Sequence, residues 1–139
     1  MADITAPRHD ERQTGDIVAV KLAAVKVYAG GLLTFNTAGF ADIADASEPL
    51  AGVAIESVDN SAGAAGDVSV RVHRSGVFSF AGSGFTQADC GKEVFVSDDQ
   101  TVTVGGSGAG RIPVGRIVTV ESATKVRVQI NLFGTATGA

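Results

Sequence analysis

Few side chains in this sequence are suited to acid–base, nucleophilic or metal chemistry. Its 139 residues include two histidines, His9 and His73, and one cysteine, Cys90. A general acid or base must lie within hydrogen-bond reach of its partner, and a zinc site needs several clustered ligands. His9 lies in a polar N-terminal segment, whereas His73 alternates with valines. We therefore expect no metal site and no catalytic role for either histidine.

Two further patterns imitate nucleotide-binding and hydrolase motifs without completing them. The glycine-rich residues 105–110 resemble a phosphate loop, but that motif continues with Lys and then Ser or Thr, whereas Arg111 and Ile112 follow here. Neither Ser83 nor Ser107 completes the Gly-x-Ser-x-Gly pattern of a nucleophile elbow. We interpret residues 105–110 as a loop and expect no nucleophilic serine.

An acidic pair and a lone thiol complete the candidates for chemistry. Asp98 and Asp99 lack the additional oxygen ligands that a calcium loop places at fixed spacing, and they suit a tight turn. Cys90 has no cysteine to pair with in this chain and no histidine beside it in sequence. A hydrolase on a small barrel would need a nucleophile–base pair, which these spacings do not support. The sequence predicts a non-enzyme without cofactor or metal.

Composition indicates an acidic protein with a core of small side chains. Hydrophobic residues make up 45% of the chain, only 6% is aromatic, and there are 18 glycines. The net charge of −4 argues against nonspecific binding to nucleic acid, which favours a basic surface. Residues 1–10 lack the apolar run of a signal peptide, and no run approaches the ~20 residues of a membrane helix. We expect a soluble protein with neither membrane nor nucleic acid as a partner.

Two segments carry the clearest structural signal, an alternation with a period of two. In residues 68–73, valine alternates with Ser69, Arg71 and His73, and residues 125–132 alternate polar and aliphatic side chains in the same way. This period places the aliphatic residues on one face of a strand and the polar residues on the other. Both segments therefore predict half-buried β-strands. The first is expected to continue through Gly76 to Phe80.

The remaining strands and turns predict the fold class. Gly30–Gly31 and residues 98–100 have the chemistry of hairpin turns, and the acidic residues 41–49 have room for one short helical turn. We expect an all-β fold, a compact antiparallel β-barrel or sandwich with a flexible N-terminal arm. Residues 1–15 form the arm, residues 16–133 a single β-domain and residues 134–139 a flexible tail. The predicted strands cover residues 17–21, 25–28, 32–36, 50–58, 68–80, 92–97, 101–104, 111–121 and 125–133.

Charged residues are distributed unevenly along the chain. Every charged residue from Asp42 to Asp67 is acidic, whereas Arg111, Arg116, Lys125 and Arg127 dominate the last third, opposed by Glu121. Opposite charges on one protomer suit a ring in which each subunit contacts the next head to tail. Alternatively, these charges only solubilise the outer faces of strands.

From about residue 15 to residue 133, the chain resembles the capsid cement, or head decoration, proteins of tailed bacteriophages. Each motif alone is common in β-proteins, but their order and spacing together are more specific. The motifs are Gly30-Gly31-Leu32, Leu50-Ala51-Gly52-Val53-Ala54, Ala64-Ala65-Gly66-Asp67-Val68-Ser69-Val70, Gly76-Val77-Phe78-Ser79-Phe80, Gly91-Lys92-Glu93-Val94-Phe95-Val96-Ser97-Asp98-Asp99, Val114-Gly115-Arg116-Ile117 and Val126-Arg127-Val128.

This resemblance implies a structural protein of the virion, made in the host cytoplasm. It implies a homotrimer on the outer capsid surface that binds the major capsid protein and reinforces the junctions between its subunits. The family offers no catalytic residues to transfer. Candidate capsid or subunit contacts are Arg8, His9 and Arg12 in the arm, and Arg71 and His73 on the polar face of the alternating strand. The alternative is a tail- or fibre-associated β-module that binds a receptor or carbohydrate.

Overall fold

The computed structural model describes residues 15–104 and 112–131, together with Ala6. Within those residues the chain is almost entirely β-structure, which confirms the predicted all-β class, and it has a single 3-10 turn at Gln87–Asp89. The predicted arm and tail lie largely or wholly outside the described residues. The strands are β1 Ile17–Lys21, β2 Lys26–Val27, β3 Leu32–Phe35, β4 Ala41–Ile43, β5 Leu50–Ala54, β6 Val58–Asp59, β7 Ser69–His73, β8 Ser75–Ala81, β9 Glu93–Val96, β10 Val102–Val104, β11 Pro113–Ser122 and β12 Lys125–Asn131.

The first of two five-stranded antiparallel sheets has the strand order β1-β7-β5-β3-β4. Its outermost strands approach each other at one end, where Leu22, just after β1, forms a parallel bridge to Ala41 in β4. The sheet therefore curls towards a barrel. β5 and the start of β3 are buried on both faces, which explains their uninterrupted apolar residues, whereas β7 is buried on one face only.

The second sheet has the order β10-β9-β11-β12-β8 and curls in the same way. Ala81 in β8 forms a parallel bridge to Thr101, just before β10, and the Ala81 amide donates to the Gln100 carbonyl at 2.9 Å. Gly115 lies at a register shift in β11, where a β-carbon would clash with the Gln129 carbonyl. Glycine is needed there because the two backbones approach closely.

Two hydrophobic clusters hold the sheets together. The larger cluster lies between them and joins Val126, Val128 and Ile130 of β12 to Leu32 and Val53 of the first sheet. The smaller cluster lies on the other face of the first sheet, where the two-stranded β2–β6 sheet covers it. The predicted alternation in β12 is thus confirmed, because its aliphatic side chains are fully buried.

A buried asparagine fixes the loop that covers the smaller cluster. The Asn60 side-chain amide donates to the carbonyls of Ala23 at 3.1 Å and Ala64 at 3.0 Å, and lies 3.4 Å from that of Leu22. Asn60 itself is 4% exposed, so these bonds satisfy its buried amide, while the carbonyls of Ala23 and Ala64 also accept the amides of Val25 and Asp67. The loop is therefore tied to the end of β1 rather than free.

The predicted strand over residues 68–80 is in fact two strands in different sheets. β7 ends at His73 and β8 begins at Ser75, so the chain crosses between the sheets at Arg74. The alternation is confirmed for Val70 and Val72, which are fully buried, whereas Val68 precedes β7 and is 37% exposed.

Two other local predictions were wrong. The Gly30–Gly31 turn does not connect a hairpin, because β2 pairs with β6 whereas β3 pairs with β4 and β5. Residues 41–49 contain β4 rather than a helical turn, since Ala41–Ile43 completes the edge of the first sheet. The hairpin at residues 98–100 is confirmed by the pairing of β9 with β10.

Candidate functional site

Arg71, a predicted contact residue, projects from β7 in an exposed ion pair. Its Nε lies 3.3 Å from Glu56 Oε2, which also accepts the Arg71 backbone amide at 3.2 Å. Hydrogen bonds from the Arg71 side chain and backbone lower the pKa of the Glu56 carboxyl. An exposed pair of this kind contributes little stability. Because the Arg71 side chain is 58% exposed, it remains accessible to a partner.

His73, the other predicted contact residue on β7, is half-buried at the rim of the larger cluster. Its ring centroid lies 5.4 Å from that of Phe78, at an interplanar angle of 40°. In the register of the first sheet it lies between Ile17 of β1 and Val53 of β5. This aromatic contact links the end of β7 to β8 immediately after the crossing between sheets.

The start of β1 and the end of β12 meet at one residue, Ser75. The Ser75 hydroxyl donates to the Asp16 carboxylate at 2.7 Å, and the Arg74 amide donates to the Asp16 carbonyl at 2.8 Å. Asn131, the last residue of β12, is the strand partner of Ser75. The chain therefore enters and leaves the described fold at the same end.

Two exposed apolar side chains flank this junction. Ile17, next to Asp16, is 48% exposed, and Val77, on the same face of β8 as Ser75, is 47% exposed. We call Asp16, Ile17, His73, Ser75 and Val77 the chain-end face. Arg8, His9 and Arg12, the other predicted contacts, lie outside the described residues.

The basic residues of the last third are partly neutralised within the chain. Glu121 forms ion pairs with Arg127 and, at 3.4 Å, with Lys125 Nζ. The hydrogen bond from Arg127 is the main reason that the pKa of Glu121 is lowered. Arg116 instead donates to the Gly91 carbonyl at 3.1 Å and so keeps its full positive charge on the outer face of the second sheet.

The acidic stretch forms tight turns that keep its carboxylates charged. Asp45 accepts the Ser47 amide at 2.9 Å and its hydroxyl at 2.7 Å, and Asp59 accepts the same groups of Ser61 at 2.9 and 2.6 Å. These bonds lower the pKa of both carboxyl groups. Both residues are exposed, so this part of the molecule presents stable negative charge.

The remaining chemistry-bearing side chains have local structural contacts. Asp98 accepts the Gln100 amide at 2.9 Å, which confirms its turn role, and the Cys90 thiol lies 3.6 Å from the Gln87 amide nitrogen. No group of three His, Cys, Asp or Glu side chains suited to a metal ion occurs in residues 15–104 and 112–131. Ser107 and the loop of residues 105–110 lie outside that part of the chain. None of the helical structure that is described is long and apolar enough to cross a membrane.

An open groove of about 750 Å³ lies where the two sheets meet, at the opposite end of β8 from the chain-end face. The sequence did not predict this site. Its only local signal is Tyr28, shortly before the Gly30–Gly31 turn. The groove forms because the segments around Tyr28 and Asp99, about 70 residues apart in sequence, lie side by side in the fold. Residues that line it include Tyr28, Gly31, Ser79, Asp99, Gln100 and Lys125.

Similarity to known proteins adds nothing to this geometry. No protein-family model, curated protein or solved structure matches the chain.

Proposed function

We propose that this protein is a structural decoration, or cement, protein of a tailed-bacteriophage head. In this proposal it binds the outer capsid surface as a homotrimer, contacts the major capsid protein and stabilises the junctions between capsid subunits. It performs no catalysis and needs no cofactor. Arg71 and His73 remain candidate contacts, as do Arg8, His9 and Arg12.

The observation that carries the proposal is the chain-end face. Residues 1–15 precede Asp16 in the sequence, and Ile17 next to it and Val77 on the same face of β8 as Ser75 expose apolar surface. A partner that contacts this face can therefore bind the N-terminal segment and the apolar side chains together.

The architecture also suits a load-bearing module. Each five-stranded sheet is joined edge to edge at one end, by Leu22–Ala41 in one and Ala81–Thr101 in the other. This closure restrains strands that would otherwise fray at the sheet edges. A small β-module restrained in this way resists local unfolding, as a protein that reinforces a pressurised shell must do.

Trimer formation is supported by the charge distribution. Acidic turns at Asp45 and Asp59 lie on the first-sheet half of the chain, and Arg116 lies on the outer face of the second sheet. Each protomer therefore offers both signs of charge for head-to-tail contact with a neighbour. Weak contacts repeated around a trimer then add as avidity on the capsid.

The experiment that tests this function uses expanded capsids that lack decoration. Purified protein should bind them stoichiometrically, raise their resistance to heat and give density at three-fold positions in an electron-microscopy map. Absence of association with the capsids would refute the proposal. Sedimentation or native mass spectrometry of the free protein tests whether the trimer forms before docking.

A tail- or fibre-associated module is the second candidate, and the groove beside Tyr28 is the observation that favours it. An exposed aromatic residue next to polar side chains is typical of a ligand-binding surface. Immunolabelling of virions distinguishes the two candidates, because label on the tail and not on the head would support the second.

A further inference from the structure

The groove at the junction of the sheets has the mixed character of a small-molecule site. Its lining combines Tyr28 and the Gly30–Gly31 backbone with the polar residues Ser79, Asp99, Gln100 and Lys125. Its volume of about 750 Å³ lies within the range of ligand pockets, about 300–1,000 Å³. Neither the capsid contacts nor the core accounts for an exposed aromatic residue at this position.

Tyr28 offers an aromatic surface for an apolar ligand face. It is 61% exposed, and the Lys26 ammonium lies 5.2 Å from its ring centroid. Lys26 does not line the groove, so the ammonium leaves the groove side of the ring open. The cation–π contact also restrains the ring, which lowers the entropy lost when a ligand stacks on it.

The polar side chains in the groove are available for hydrogen bonding. Ser79, Asp99 and Gln100 make no side-chain hydrogen bond to any other residue in the described part of the chain. Together they offer carboxylate acceptors, an amide with both donors and an acceptor, and a hydroxyl. The Lys125 ammonium is paired with Glu121 at 3.4 Å, so the Asp99 carboxylate disfavours an anionic ligand and can accept hydrogen bonds from the hydroxyl groups of a neutral one.

The backbone under these groups is already fixed. The Leu32 amide donates to the Asp99 carbonyl at 2.7 Å, and the Ala81 amide donates to the Gln100 carbonyl at 2.9 Å. Because the turn is tied to both sheets, the backbone that carries these side chains is held in place before a ligand arrives.

We propose that this groove binds a neutral saccharide, whose apolar ring face stacks on Tyr28 while its hydroxyl groups bond to Asp99 and Gln100. A pyranose ring combines one apolar face with an edge of hydroxyl donors and acceptors, as this groove requires. The inference is independent of the capsid role, because it concerns binding by the free protein.

The test is a titration of the isotope-labelled protein with maltose, lactose and mannobiose. Binding is monitored by the change in the NMR chemical shifts of the backbone amides. At least one of these sugars at up to about 10 mM, above a weak Kd of ~1 mM, should cause saturable shifts at residues 29–31 and 99–100. Tyr28→Ala should weaken binding at least about tenfold, whereas Tyr28→Phe retains the ring and most of the affinity. Asp99→Asn should also weaken it, and Val118→Ala, at an exposed site away from the groove, should not.

Several results would overturn the proposal. One is that none of the three sugars causes a saturable change in chemical shift. Another is that the shifts persist unchanged in Tyr28→Ala. Binding of sialyllactose or inorganic phosphate in place of the neutral sugars would show an anion site instead. Capsid binding is measured separately, so failure here leaves the decoration role to be judged by its own experiment.

Discussion

Replacement of Ile17 and Val77 by serine tests whether the chain-end face contacts the capsid. Both side chains are about half exposed, at 48% and 47%, and neither belongs to the two core clusters. The double variant should therefore fold, and its thermal unfolding checks this directly. What it removes is apolar surface that a docked partner would cover.

The expected loss of affinity follows from the exposed fractions. Complete burial of an isoleucine or valine side chain contributes about 1.5–3 kcal/mol, so the exposed half of each can contribute ~0.7–1.5 kcal/mol on docking. The two residues together contribute ~1.5–3 kcal/mol per protomer, which corresponds to an affinity loss of about 10- to 100-fold. If three protomers dock together, the effect on the trimer is larger still.

The assay is a titration of labelled protein against undecorated capsids, with bound and free protein separated by sedimentation. A matched control replaces Ile43 and Val118 by serine, because these residues have the same types and similar exposure, 44% and 49%, but lie outside the chain-end face. The control should bind as the unmodified protein does. Equal loss in both variants, or no loss in the first, would refute the assignment of this face.

Three further predictions concern stability. Gly115→Ala should lower the free energy of unfolding by about 1–3 kcal/mol, because the added methyl group would clash with the Gln129 carbonyl. In the control Gly30→Ala, the methyl group meets no atom within 4 Å, so the variant should lose only the ~1–2 kcal/mol that a positive φ costs an alanine. Urea titration of both variants measures the two free energies of unfolding. Asn60→Ala should cost about 1–3 kcal/mol by the same assay, because it removes two hydrogen bonds made by a buried side-chain amide that tie the loop to the end of β1. Because the pKa of Glu121 is lower in the folded protein than in the unfolded chain, ionised Glu121 stabilises the fold at pH values above its unfolded-state pKa of about 4.3. This stabilisation is lost as the pH falls through the lower pKa of the folded state. Glu121→Gln should therefore reduce the loss of stability that the unmodified protein shows at acidic pH.

Sequence periodicity predicted strands best where one face is buried and the other meets water. β12 is such a strand, since Val126, Val128 and Ile130 pack in the core while Arg127 is exposed. The turn at residues 98–100 was also predictable, because Asp98 bonds the backbone two residues later and needs no distant partner.

Periodicity failed where distant pairing decides the structure. The Gly30–Gly31 turn has hairpin chemistry, but β3 pairs with β5 because Leu32 and Leu33 are buried on opposite faces of the first sheet. Local sequence does not report that choice of partner. β4 has only three residues, including Asp42, and is a strand only because β3 lies beside it.

The candidate site was predictable only in part for the same reason. The sequence indicated that Arg71 and His73 share the polar face of a strand, and both do lie on one side of β7. It gave no indication that Asp16 and Asn131 meet at Ser75, or that Tyr28 lies near Asp99, since both arrangements depend on how the two sheets pack.

The chain-end face and the groove lie at opposite ends of the same pair of strands. Ser75 and Asn131 are partners at one end of β8 and β12, and Ala81 and Lys125 are partners at the other. Six steps of extended strand separate Ser75 from Ala81 by about 20 Å, whereas Val77 of the chain-end face and Ser79 of the groove lie about 7 Å apart on the same face of β8. A protomer held to a shell at the Ser75 end of this face would therefore leave the Ala81 end of the groove, with Asp99 and Gln100, clear of the contact. Saccharide binding should then survive decoration of the capsid, and its loss on docking would mean that the groove, rather than the chain-end face, meets the shell.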